Sequence, residues 1–168
     1  MPIPNLKKYA NSSVFTEKEA TAAIADYCSK KEVCIADAKK KLVQWAVEPA
    51  VIERVVVWLL QNKFIDELRF SEAFVRDKFR FNKWGKYKIR TALQLKSIPE
   101  SIIEQALVQI PAASSANLLD EEIKKKLKSI KSDNPYEIKS KLYRFGMSRG
   151  FESDLVMSAI DRLVKIKD

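Results

Sequence analysis

Shifted along itself by 51 residues and then by a further 53, this chain superimposes its own apolar pattern. Val47, Ile98 and Phe151 coincide, as do Val51, Ile102 and Leu155; Ile52, Ile103 and Val156; Val56, Leu107 and Ile160; and Leu59, Ile110 and Leu163. Short side chains coincide at Val55, Ala106 and Ala159. Upstream, Ala38 aligns with Ile89 and Leu142, then Leu42 with Leu93 and Gly146. A period of about 50 residues marks tandem modules, and modules this small bury too little apolar surface alone, so neighbours are expected to share core. Gly146 breaks the last match and is expected to loosen the third module. The two extra residues between the second and third modules are expected in 111–117 or 129–134.

The modules read as helical. Three glycines and six prolines leave little turn chemistry for β-hairpins, whereas Ala, Leu, Lys, Glu and Ile recur at three-to-four spacing. Thr16 with Glu19 forms a capping box, Pro49 and Pro99 suit a first helical position, and Asn134 with Pro135 and Glu137 marks another start. With Asp66, Gly85 and Glu152 or Ser153 as further boundaries, about nine helices are expected. The expected fold is all-α: three tandem three-helix repeats in an elongated, curved arrangement. The expected divisions are an N-terminal extension 1–15 and repeats at 16–63, 64–112 and 113–168, the last two helices of each repeat forming a hairpin.

Histidine is absent, which removes the usual general base and the commonest metal ligand. No enzyme activity, cofactor or metal is therefore expected. Cys28 and Cys34 are too few for a zinc site without histidine and read as buried or free thiols rather than a disulfide. The first residues, MPIPNLKKYANSS, lack the apolar core of a signal peptide, and the run near VVVWLLQN is too short to span a membrane. A cytoplasmic monomer is expected. The formal charge of +9, from 31 Lys and Arg against 22 Asp and Glu, points to a polyanionic partner.

That charge is densest in KFRFNKWGKYKIRTALQLKSI, residues 78 to 98. Arg76, Lys78, Arg80, Lys83, Lys86, Lys88, Arg90 and Lys96 are opposed only by Asp77, so together they form a candidate binding face. Trp84, set among Lys83, Lys86 and Tyr87, is the aromatic placed to stack on a base or anchor a protein contact. Gly85 reads as a turn position needing positive φ or close backbone approach. Phe70, Phe74, Val75, Phe79 and Phe81 read mainly as core, and Ile89, Ala92, Leu93 and the stem of Lys96 as the inner arc of the following helix. Two further cationic clusters, Lys124, Lys125, Lys126, Lys128 and Lys131, and then Lys139, Lys141, Arg144 and Arg149, read as solvated helix faces.

One ordered series of residues resembles the RecX family, bacterial regulators of the RecA recombinase: Asp66, Phe70 and Ser71, Phe74 and Val75, Arg76 with Lys78, Gly85, Lys88 with Ile89, Leu93, and Lys96-Ser97-Ile98. SRGF at 148–151 resembles the family's Arg-Gly-Phe turn, whereas Ser97 and Ala46 stand where a glycine is usual. The resemblance implies a protein without chemistry of its own. It would lie in the groove of the RecA filament on single-stranded DNA, span neighbouring protomers, and restrain ATP hydrolysis, strand exchange and filament growth. Its cations would meet acidic filament surface, exposed single-stranded DNA phosphate, or both. Two other readings remain. One is a sequence-specific DNA-binding protein of tandem Myb-like repeats, although PAVIERVVVWLLQ and PESIIEQALVQI put apolar and acidic residues where base-reading helices would lie. The other is a helical-repeat scaffold.

Overall fold

A computed structural model describes residues 15–164, so all of the expected N-terminal extension except Phe15 lies outside the described residues. Among them are nine helices and no strand: α1 (Glu17–Ser29), α2 (Ile35–Gln44), α3 (Pro49–Gln61), α4 (Glu67–Arg80), α5 (Lys86–Gln94), α6 (Glu100–Leu107), α7 (Ala112–Ser129), α8 (Pro135–Arg149) and α9 (Ser153–Leu163). The capping box of Thr16 and Glu19 opens α1, and the Asn134 carboxamide accepts from the backbone N–H of Tyr136 and Glu137 ahead of Pro135 at the start of α8. Pro99 sits one position earlier than expected, as the cap of α6 rather than its first residue. The extra length of the third triplet is helical: PAASSAN belongs almost wholly to α7, which has 18 residues against 14 in α4 and 13 in α1.

The same reversal joins the second and third helices of every triplet. Ala46, Ser97 and Gly150, aligned by the repeat, all take positive φ, at 56°, 59° and 82°. The next residue then donates to a carbonyl one turn back inside the helix: Val47 to Leu42 (3.1 Å), Ile98 to Leu93 (3.2 Å) and Phe151 to Gly146 (3.3 Å). This is a Schellman closure, and the buried Val47, Ile98 and Phe151 supply its hydrophobic contact. Substituting Ala and Ser for the usual glycine leaves the turn geometry unchanged. Lys63, at φ 61° after α3, makes a fourth such turn, with Phe64 donating to Leu59 at 2.9 Å.

Burial follows the repeat. Ala38, Ile89 and Leu142 are fully buried, as are Leu42 and Leu93, and Ile52, Ile103 and Val156 lie in the cores. Gly146 is a correction: a Cβ there would meet the Val156 side chain at 2.7 Å. The third hairpin is close-packed at this point, with Val156 occupying the space that a larger residue at 146 would need. A second correction concerns Phe81, which lies beyond the end of α4 and is 74% exposed rather than core, with the Arg80 guanidinium 5.8 Å from its ring.

The described residues form two compact units, divided inside α4 between Ser71 and Glu72. In the first unit, Ala20, Ile24, Ala38, Leu42, Val55 and Leu59 form the core, Phe15 stacks on Trp45 at 5.9 Å, and Cys28 and Cys34 are buried without forming a disulfide. Here the Glu67 carboxylate accepts from the N–H of Ile35 at 2.7 Å, capping α2, whose own cap residue Cys34 makes no side-chain capping bond. In the second unit, Leu119, Ile123, Leu142, Phe151 and Ile160 form a core against which Phe79 of α4 packs.

Candidate functional site

The most cationic stretch is built around the turn from α4 to α5. Lys83 at φ 57° reverses the chain, the Trp84 N–H closes onto the Lys78 carbonyl at 3.1 Å, and Gly85 then caps α5 with extended backbone at φ −77°. Of the two reasons expected for a glycine at 85, positive φ belongs to Lys83 instead, and close approach is the one that applies. A Cβ on Gly85 would lie 2.2 Å from the Gly150 carbonyl oxygen. The two glycines bring the start of α5 against the end of α8, where Gly85 N–H donates to Arg149 (2.8 Å) and Tyr87 N–H to Gly150 (3.0 Å). Orphan donors of one helix thus satisfy orphan acceptors of another, with opposite ends of the two helix dipoles in contact. The Lys88 ammonium adds a third bond to this α8 terminus, donating to the Ser148 carbonyl at 3.0 Å.

Trp84 is consequently held between cations. Lys78 Nζ lies 5.1 Å and Lys88 Nζ 4.9 Å from its ring centroid, within cation–π range. Beside it, Trp84, Tyr87, Lys88, Leu95 and Met147 line an open groove of about 450 Å³. The remaining expected site residues divide. Arg76, Lys83 and Lys86 make no ion pair with another described residue, and Arg80 faces Phe81. Arg90 turns away from this cluster and bridges α5 to α6 through Glu100 and Glu104, the latter at 2.6 Å. Lys96 lies past the end of α5, half-buried and engaged within the fold. The structure therefore brings Lys78, Trp84 and Lys88 together and commits Arg90 to the hairpin.

No group of three or more Cys, Asp or Glu side chains among the described residues is arranged to hold a metal. Burial pushes the Cys28 thiol up to about 11, so it is protonated and unreactive near neutral pH. No described helix is long and apolar enough to cross a membrane.

Residues 66–107 match the family description "RecX, second three-helix domain", and residues 116–160 match "RecX, third three-helix domain". A regulatory protein RecX from Chlorobium phaeobacteroides (strain BS1) is 35% identical over 137 residues, covering 82% of this chain and 85% of that protein. The chain belongs to the RecX family. A RecX from Clostridium tetani (strain Massachusetts / E88) is 34% identical over 126 residues; that match covers 74% of this chain but only 57% of the relative's length. Two solved structures share the fold. A crystal structure of regulatory protein RecX has a TM-score of 0.81 at 23% identity, covering 86% of this chain and 71% of that one, and RecX from Lactobacillus salivarius gives 0.77 at 19%, covering 88% and 96%. The fold is thus one of tandem helical repeats, and every expected site residue falls inside the segment matching the second RecX domain.

The third triplet adds a residue to this region that its sequence does not single out. Arg149 donates to the Asn82 carbonyl at 3.3 Å and lies 5.1 Å from the Phe145 ring, tying the α4–α5 turn to α8. Its place in a run of cations was visible in the sequence. Its reach across 67 residues was not.

Proposed function

We propose that this chain is a non-catalytic regulator that binds RecA and RecA–single-stranded DNA filaments and mainly inhibits ATP hydrolysis, strand exchange and filament growth. Its working repeats in this reading are 16–63, 64–112 and 113–168. Membership of the RecX family carries the proposal. The cationic α4–α5 face supports it physically, since Arg76, Lys83 and Lys86, without internal ion pairs among the described residues, are available to an acidic protein surface or to phosphate. Repeated modules also suit a partner that is itself a repeating polymer, because several weak contacts add to useful avidity.

The test is RecA ATPase activity on single-stranded DNA with the protein added. Inhibition is expected, with a weaker effect from an Arg76→Glu, Lys83→Glu, Lys86→Glu variant that melts like the parent. Full inhibition by that folded variant removes the face from the proposal, and absence of any effect of the parent protein on RecA overturns the proposal itself. Tight, sequence-dependent duplex binding without RecA would instead support the Myb-like reading.

A further inference from the structure

A second groove, of about 660 Å³, runs between α7 and α8. Four cations line it: Lys126 from α7, Lys131 from the connection, and Lys141 and Arg144 one turn apart on α8. Phe145 and Ile130 add apolar wall, Ser129 and Ser148 add hydroxyls, and no Asp or Glu is among the lining residues. Lys131 and Arg144 are exposed and make no ion pair with another described residue. Lys126 Nζ rests 5.8 Å from the Phe145 ring, a contact that holds the ammonium at the wall without neutralising it. Among the described residues, Lys141 alone of the four has a carboxylate partner, Glu137, which also accepts from Ser132. Positive charge gathered from two helices and their connection, without matching acid in the wall, favours an anionic ligand.

The shape narrows the ligand. An open groove of this volume is large for a single inorganic phosphate, and its four cations are spread over two helices and their connection. A single strand can lay successive phosphates along the cations while its sugars and bases meet the apolar wall. We propose that the α7–α8 groove binds the phosphodiester backbone of single-stranded nucleic acid, as a site additional to the Trp84 cluster. Ser148 borders both grooves, so the two ligand surfaces meet at the end of α8.

The ligand here is the strand alone, so the proposal is independent of the recombinase reading and can be tested without RecA. The measurement is fluorescence anisotropy of a labelled oligo-dT strand at several salt concentrations. The two variants compared are Lys131→Glu/Arg144→Glu and, as a charge-matched control, Lys124→Glu/Lys128→Glu, whose lysines are exposed on α7 outside the groove. The groove variant is expected to lose about tenfold in affinity relative to the control. Its log–log salt slope should become shallower by about 1.4, the value for two single-strand phosphate contacts. Thermal melts of both variants establish that they are folded. Equal losses in the two variants, no binding of oligo-dT by the parent, or duplex binding at least as tight as strand binding would each overturn the proposal.

Discussion

Ser97 and Ala46 hold left-handed backbone that their Cβ atoms disfavour by about 1–2 kcal/mol each, yet both make the same closure as Gly150. Ser97→Gly and Ala46→Gly are therefore each expected to stabilise by about 0.5–1 kcal/mol, less than the strain relieved because glycine also loosens the unfolded chain. Urea unfolding measures this, and a loss of stability at either position contradicts the strain account. Gly85 behaves oppositely. Gly85→Ala drives a methyl group into the Gly150 backbone, and about 2 kcal/mol of destabilisation is expected. Glu67 is a third special residue: its Oε1 caps α2 while its Oε2 is buried without a hydrogen-bond partner among the described residues. Burial pushes its carboxyl above the usual glutamate range, outweighing the bond from the Ile35 N–H, with Asp37 and Asp66 adding to the rise. A raised folded-state value means that the native protein holds this proton more tightly than the unfolded chain does. Its contribution thus favours folding in acid and is lost as pH rises from the ordinary glutamate value through the raised one. Glu67→Gln keeps the acceptor and removes the charge. It is expected to match or exceed the parent in stability at neutral pH, with any advantage disappearing in acid, whereas Glu67→Ala loses the cap and about 1 kcal/mol. Equal destabilisation by Gln and Ala in melts at both pH values would refute this assignment.

At the scale of elements, the cations of α5 have divided roles that residue type alone does not reveal. Arg90 is one helical turn from Lys86, yet it points to Glu100 and Glu104 of α6. Arg90→Glu places like charges together in that hairpin and is expected to lower stability by about 1 kcal/mol, a modest figure because both glutamates are more than half exposed. Any loss of RecA inhibition by this variant should track its unfolding. A variant that retains parental stability but loses inhibition would return Arg90 to the binding face. Helix identity, caps and inner faces were largely legible in the sequence, because the 3.6-residue period and the Thr16 and Asn134 caps are local signals. The direction of Arg90 was not, since it depends on which carboxylates α6 presents after the Ser97 reversal. Phe81 departs from the expected core position for a related reason. Its apolar chemistry suggested core, but α4 ends one residue before it and the chain turns at Lys83.

For the whole molecule, a charge of +9 would make association with the proposed polyanionic filament faster and tighter at low salt. RecA inhibition is expected to weaken as ionic strength rises, as a titration of ATPase rate against protein at several salt concentrations would show; a salt-independent midpoint would place the contact in apolar surface instead. The sequence by itself determined the helical class, the tandem repetition and the surplus of positive charge, because periodicity and composition are written one residue at a time. Only the tertiary structure decided that Gly85 and Gly150 press backbone against backbone, that Lys78 and Lys88 converge on Trp84 while Arg90 leaves them, and that two unremarkable runs of lysine and arginine wall a single groove. These contacts join side chains tens of residues apart, and their free energy depends on which helix faces pack together, a quantity that no local pattern carries.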